Sequence, residues 1–123
     1  MTQPLALLYY ERLMPGSQLV NRLQDLKYRV LTVNNIAALG ETARREQPLF
    51  LIVDLETRGE VMETIQRIKA DSPTSHLPII AFAPDKKSEL FAAAQKAGAS
   101  LIIGETALAS HLPQLLDQAM HLD

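Results

Sequence analysis

The sequence predicts an α/β fold in which a five-stranded parallel sheet lies between two layers of helices, and two observations lead to this prediction. The first is the segment 49–54, where five apolar residues run into one carboxylate, Asp54. A strand buried on both faces has no solvent-facing positions, so its sequence does not alternate. The second is that strand-type and helix-type segments alternate five times, as in parallel sheets joined by right-handed crossovers.

Length and composition are those of one domain spanning residues 1–123. The net charge is −2, 47% of the residues are hydrophobic, and no cysteine is present. Lys and Arg are spread without a basic stripe, which argues against nucleic-acid binding. No apolar stretch approaches the roughly 20 residues of a membrane span. The lack of cysteine excludes disulfides and thiolate chemistry and is compatible with the cytoplasm, which is the expected location.

The first half of the chain predicts two strand–helix units before the central strand. Residues 4–10 form an apolar strand, and after a Pro-Gly-Ser break a helix continues to about Tyr28. The segment 29–33 alternates apolar and polar residues, which places this strand at an edge of the sheet. The asparagine pair 34–35 offers an N-cap for a helix that fades out over 44–47.

After the central strand the pattern continues. Thr57 and Glu60 have the spacing of a capping box at the start of the third helix, and this helix should stop before Pro73. Residues 77–83 predict a second strand buried on both faces, and residues 100–103 a short last strand.

Two further helices complete the pattern. The fourth covers about 86–96, with Gly98 as the left-handed residue past its end. The last is predicted over about 110–122, because a start at Thr106 would place Pro113 in the helix interior. We predict the strand order 2-1-3-4-5 of a flavodoxin-like three-layer sandwich, because this order places the more polar second strand at an edge of the sheet.

The chain resembles the receiver domains of response regulators over almost its whole length. The best local match is the segment 78–83, followed fifteen residues later by the Gly-Ala-Ser turn at 98–100. The resemblance implies that Asp54 stands at the position where receivers accept a phosphoryl group. In that family, acids ending the first strand hold magnesium. A hydroxyl ending the fourth strand and a lysine after the fifth hold the phosphoryl oxygens.

This sequence keeps only part of the receiver pattern. Tyr10 and Glu11 stand where the acidic pair is expected, Ala83 replaces the hydroxyl, and Glu105 replaces the lysine. Ile102 stands in place of the aromatic residue of the family's switch. A glutamate repels phosphate, and each lost transition-state contact costs about 3 kcal/mol. The chain therefore most resembles the divergent pseudo-receivers.

The first functional hypothesis is a signalling module of two-component or phosphorelay type that acts by protein–protein contacts without phosphorylation. It is not an enzyme, needs no cofactor, and binds magnesium weakly at most. Asp54 is then an inherited carboxylate whose counter-charge is Arg12 or Arg58. The alternatives are an active receiver phosphorylated at Asp54, a flavodoxin-like binder of a small ligand, and a cation site formed by Glu11, Asp54 and Glu105.

A partner protein or a second copy is expected on the face made by the fourth helix, the fifth strand and the last helix. Phe91 falls about 100° from Leu90 on the fourth helix, near the edge of its buried arc, so it is a candidate anchor. The other interpretation is that Phe91 lies over apolar atoms of its own chain. The histidines are expected at the surface, without a metal or catalytic role: His76, His111 and His121.

Overall fold

The computed structural model describes residues 4–56, 60–84 and 88–120. Within these ranges the chain forms five strands in one sheet: β1 Leu5–Tyr9, β2 Arg29–Val33, β3 Phe50–Asp54, β4 Ile79–Ala83 and β5 Leu101–Gly104. All neighbouring strands are parallel and their order is β2-β1-β3-β4-β5. The predicted three-layer fold and strand order are therefore confirmed.

The described ranges contain six helices, whereas the sequence predicted five. They are α1 Leu13–Asp25, α2 Ile36–Glu46, α3 Val61–Ala70, α4 Ser88–Ala97, α5 Glu105–Ser110 and α6 Leu112–Met120. No helix in the described part of the chain is long and apolar enough to cross a membrane.

Two apolar clusters cover the two faces of the sheet. Side chains of α2, α3 and α4 form the first cluster with residues such as Leu51 and Val53, and those of α1, α5 and α6 form the second with Phe50 and Ile52. Successive residues of β3 therefore enter opposite clusters, as the alternation of a strand requires. All residues of β1, β3 and β4 are buried, while the edge strand β2 exposes polar side chains.

The bounds of α1 differ from the prediction at both ends. The helix begins at Leu13, so Pro15 lies in its first turn, where no intrahelical N–H is lost. It ends at Asp25 rather than near Tyr28, because Lys27 adopts a positive φ of 72°. The prediction of a Pro-Gly-Ser break before the helix is therefore wrong, because a proline can begin a helix as well as break one.

The start of α3 also differs from the prediction. The helix begins at Val61, and the side chain of its N-cap residue Glu60 makes no capping hydrogen bond. A capping box would need Glu60 as the third helical residue, so this prediction is wrong. Thr57 lies outside the described residues. The helix ends at Ala70, before Pro73, as expected.

The segment after β5 folds as two helices with a break at His111. The short helix α5 was not predicted, and α6 begins at Leu112. Pro113 lies in the first turn of α6, as expected. A continuous helix would bring the Pro113 ring against the carbonyl of Ala109, and proline has no N–H to donate there, so the chain interrupts the helix at this point.

The N-cap of α2 and the end of α4 agree with the sequence prediction, whereas the start of the central strand does not. The side chain of Asn35 caps α2 by accepting a hydrogen bond from the Ala37 amide at 3.0 Å. Gly98 takes a φ of +109° after α4, as predicted. The central strand begins at Phe50, and Leu49 is 43% exposed rather than buried.

Candidate functional site

The candidate site lies at the carboxyl edge of the sheet, where β1, β3, β4 and β5 end together. Asp54 is the last residue of β3 and Ala83 the last of β4. Arg12 lies between β1 and α1, and its extended backbone immediately precedes the helix. Glu105 is the first residue of α5, directly after β5. Parallel pairing brings these four positions to one edge although they are distant in sequence.

Asp54 is fully buried and both of its carboxylate oxygens accept hydrogen bonds. Arg12 donates from Nε to Oδ2 at 2.8 Å and from Nη2 to Oδ1 at 2.7 Å. The backbone N–H of Glu56 also donates to Oδ1, at 2.9 Å. A bidentate arginine–carboxylate contact of this kind is charge-assisted and geometrically specific. Of the two arginines considered as counter-charges, Arg12 makes the contact, and Arg58 lies outside the described residues.

Arg12 also contacts a second carboxylate. Its Nη2 lies 3.1 Å from Oε2 of Glu105, and the side chains of Arg12 and Glu105 are 28% and 29% exposed. Oε2 is buried and accepts no well-aligned hydrogen bond, so this contact is an ion pair of poorer geometry than the one with Asp54. The pKa of the Arg12 guanidinium is raised, first by its hydrogen bond to Asp54 and further by the charges of Asp54 and Glu105, despite partial burial.

Aromatic side chains fill the region where an acidic pair would stand. The hydroxyl of the buried Tyr9 donates to Oε2 of Glu11 at 2.7 Å, and Glu11 is itself exposed. The half-buried Tyr10 lies against Gly16 of α1: a Cβ built on Gly16 would be 2.2–2.6 Å from Tyr10 ring atoms. This contact was not anticipated, and the only signal for it was a glycine in a helix-forming segment.

The three carboxylates considered as a cation site do not converge. In the described part of the chain, no group of three or more histidine, cysteine or acidic residues could hold a metal ion. The guanidinium of Arg12 lies between Asp54 and Glu105 instead. A cation in contact with both carboxylates would have to displace Arg12 first.

The remaining positions contribute apolar surface. Ala83 is fully buried at the end of β4 and pairs with Gly104 of β5. Ile102 is half-buried and packs against the first cluster. Phe91 on α4 is also half-buried and packs against this cluster, as the second interpretation of this residue described. Its role as an interface anchor stays a prediction.

The role of Glu105 as an ion-pair partner was not predicted from the sequence. The substitution of a glutamate for the family's lysine was interpreted only as repelling phosphate. The structure adds that this glutamate has a cationic partner, Arg12. A positive side chain after the first strand together with a negative one after the fifth was the available signal, because both strands end at the same edge.

The comparisons with known proteins agree with this architecture. No protein-family model and no curated protein matches the sequence. Among solved structures, this chain is similar to the chemotaxis response regulator CheY4 of Vibrio cholerae, with 17% identity and a TM-score of 0.83 over 96% of this chain and 99% of that one.

Two further structures are similar to a comparable extent. One is the signal receiver domain of a modulated diguanylate cyclase from Desulfovibrio desulfuricans G20, with 24% identity and a TM-score of 0.80 over 97% of this chain and 94% of that one. The other is a two-component response regulator of the LuxR family from an Aurantimonas species, with 16% identity and a TM-score of 0.82 over 96% and 85%. The chain therefore has the fold of response-regulator receiver domains.

Proposed function

We propose that this chain is a cytoplasmic, receiver-like signalling module of two-component or phosphorelay type that acts through protein–protein contacts and without phosphorylation of Asp54. The observation that supports this is the engagement of Asp54: both oxygens of a fully buried carboxylate are held by Arg12. The proposed module is not an enzyme and uses no cofactor.

The chemistry of phosphoryl transfer explains why this engagement matters. A carboxylate that attacks a phosphoryl group meets a negatively charged electrophile, and a metal ion normally neutralises the repulsion. Here the lone pairs of Asp54 are directed at Arg12, and Glu105 adds a negative charge beside it. Ala83 supplies no hydroxyl to the incoming oxygens. Transfer would have to break a charge-assisted contact and proceed without the usual stabilising groups.

The partner surface that we propose is the β5 face, defined as α4, β5 and the two helices α5 and α6 that follow β5. All four residues of β5 are half-buried, and three of them are large and apolar. The opposite edge strand, β2, exposes Arg29 and Thr32 instead. Natural edge strands are commonly protected by charged residues, so the apolar edge is the better candidate for a protein contact.

The proposal is tested by exposing the purified protein to a small-molecule phosphodonor with magnesium and measuring the intact mass. We expect no adduct, and magnesium binding by calorimetry no tighter than about millimolar. An active receiver domain treated in parallel shows that the donor works. A stoichiometric gain of about 80 Da that is absent in Asp54→Asn would overturn the proposal in favour of a working receiver.

A further inference from the structure

Arg12 joins three segments that are far apart in the chain. It lies between β1 and α1, its partner Asp54 ends β3 at a separation of 42 residues, and its second partner Glu105 opens α5. The side chain therefore connects the centre of the sheet with the element that leaves the edge strand β5.

The two contacts of Arg12 differ in strength. The contact with Asp54 has two short hydrogen bonds to a carboxylate without solvent exposure. The contact with Glu105 is a single approach of 3.1 Å between partly exposed groups, without good hydrogen-bond alignment. Loss of the first leaves the fully buried carboxylate of Asp54 unpaired. Loss of the second costs less, because the side chains of Arg12 and Glu105 are each partly exposed, and the buried Oε2 of Glu105 has no well-aligned hydrogen bond to lose. The contact with Glu105 can therefore open while Arg12 stays in place.

The element on the far side of the weaker contact is the short helix α5, which lies against α1, β4, β5 and α6. The helix α5 has six residues, and Leu108 is its one fully buried side chain. Helices this short are not stable by themselves and depend on tertiary contacts. The ion pair of Glu105, at the first residue of α5, is thus one of the tertiary contacts that hold this helix, together with the buried Leu108.

We propose that the Arg12–Glu105 contact is a releasable latch that fixes the start of α5 and with it the β5 face, while Asp54 serves as the fixed anchor of Arg12. This inference deepens the proposed function and rests on it for the statement that the β5 face is the working surface. The latch itself rests on the contacts of Arg12 alone.

The test is hydrogen exchange followed by mass spectrometry on the wild-type protein and on Glu105→Gln, which removes the charge but keeps the size of the side chain. Peptides covering 101–112 report on α5 and β5, and peptides from β1 and β3 report on the sheet. We expect exchange in 101–112 to become about two- to fivefold faster, since a partly exposed ion pair contributes modestly to local stability, with the sheet unchanged.

Two further variants make the result specific. Glu46→Gln breaks the exposed Arg45–Glu46 pair on α2 by the same chemical change, and it should leave 101–112 as in the wild type. The double variant Arg12→Gln/Asp54→Asn removes the latch without leaving the charge of Asp54 buried and unpaired, and it should accelerate exchange in 101–112 as Glu105→Gln does.

The latch is overturned if Glu105→Gln leaves exchange in 101–112 at the level of the Glu46→Gln control. It is equally overturned if exchange rises uniformly in β1 and β3, because Glu105 then supports the whole fold and not a local element. The mass measurement with a phosphodonor is independent of both outcomes. A phosphorylated Asp54 would overturn the proposed function but not the exchange rates measured on untreated protein, and unchanged rates would overturn the latch without changing the masses.

Discussion

At the scale of residues, the site carries both signs of charge but with their positions exchanged relative to the receiver pattern. The resemblance leads one to expect acids after the first strand and a lysine after the fifth, whereas this chain has Arg12 after β1 and Glu105 after β5. Asp54 meets a cation either way. In this chain that cation is the guanidinium of Arg12, which stays charged throughout the physiological pH range.

The burial of the pair predicts an asymmetric response to mutation. Arg12→Gln leaves the fully buried Asp54 without its counter-charge, and we expect a loss of about 3–5 kcal/mol in the free energy of unfolding. Asp54→Asn leaves Arg12, which is 28% exposed and still beside Glu105, so the loss should be about 1–2 kcal/mol. Urea denaturation measures both.

A matched control for these two variants is Arg45→Gln, which breaks an exposed pair and should change stability by less than about 0.5 kcal/mol. Equal losses in Arg12→Gln and Asp54→Asn would contradict the assignment of Asp54 as the buried member of the pair.

At the scale of elements, the start of α1 depends on one close approach. Gly16 lies in the first turns of the helix, and the ring of Tyr10 occupies the space where a Cβ would stand. A helical glycine is ordinarily less stable than alanine by about 1 kcal/mol. Here the missing side chain lets the segment between β1 and α1, which carries Arg12, lie close to the helix.

This approach predicts opposite effects for two glycine substitutions. Gly16→Ala should destabilise the protein by about 1–3 kcal/mol, because the new methyl group displaces the Tyr10 ring. Gly40→Ala in α2 should stabilise it by about 0.5–1 kcal/mol, because the nearest atom, on Ile68, is 4.0 Å from the new Cβ. Thermal and urea unfolding of the two variants give the comparison.

The cause of the Gly16 effect can be separated from other changes in α1. In a Tyr10→Ala background the ring is absent, so the additional cost of Gly16→Ala should disappear. A destabilisation that persists in this background would mean that the contact with Tyr10 is not its origin.

At the scale of the whole molecule, stability depends on two apolar clusters that share the sheet, and ionisable groups at their margins couple this stability to pH. Tyr28 packs against the second cluster and meets the ring of Phe50 edge-on, with centroids 5.2 Å apart. Burial raises the pKa of Tyr28 above its ordinary value of 10.0, and the charge of Asp117 raises it further. The pKa of Lys69 shifts in the opposite direction, because burial lowers it below its ordinary value of 10.5.

The sign of the alkaline effect follows from these shifts. The stability associated with Tyr28 is complete below pH 10.0 and is lost as the pH rises through the raised pKa of the folded state. We therefore expect the wild type to lose more stability than Tyr28→Phe between about pH 8 and about pH 11, measured as urea midpoints. Lys69 acts in the other direction in both proteins, so it cancels in the difference. An identical pH dependence of the two proteins would contradict the shift at Tyr28.

The sequence by itself determined the layers and most element bounds, because these depend on the local succession of apolar residues. The run that ends at Asp54 is buried throughout from Phe50, Asn35 caps α2, and α3 ends before Pro73. Each of these features is decided within a few residues by burial, capping or backbone geometry.

Only the tertiary structure decided which groups meet at the site and where the first helix begins. The Pro-Gly-Ser segment was predicted as a break before the helix, whereas α1 begins at Leu13 and includes this segment. The pairing of Arg12 with both Asp54 and Glu105 depends on side chains brought together by the parallel sheet across long stretches of chain. Attraction between charges depends on their separation in space, and sequence distance does not contain that quantity.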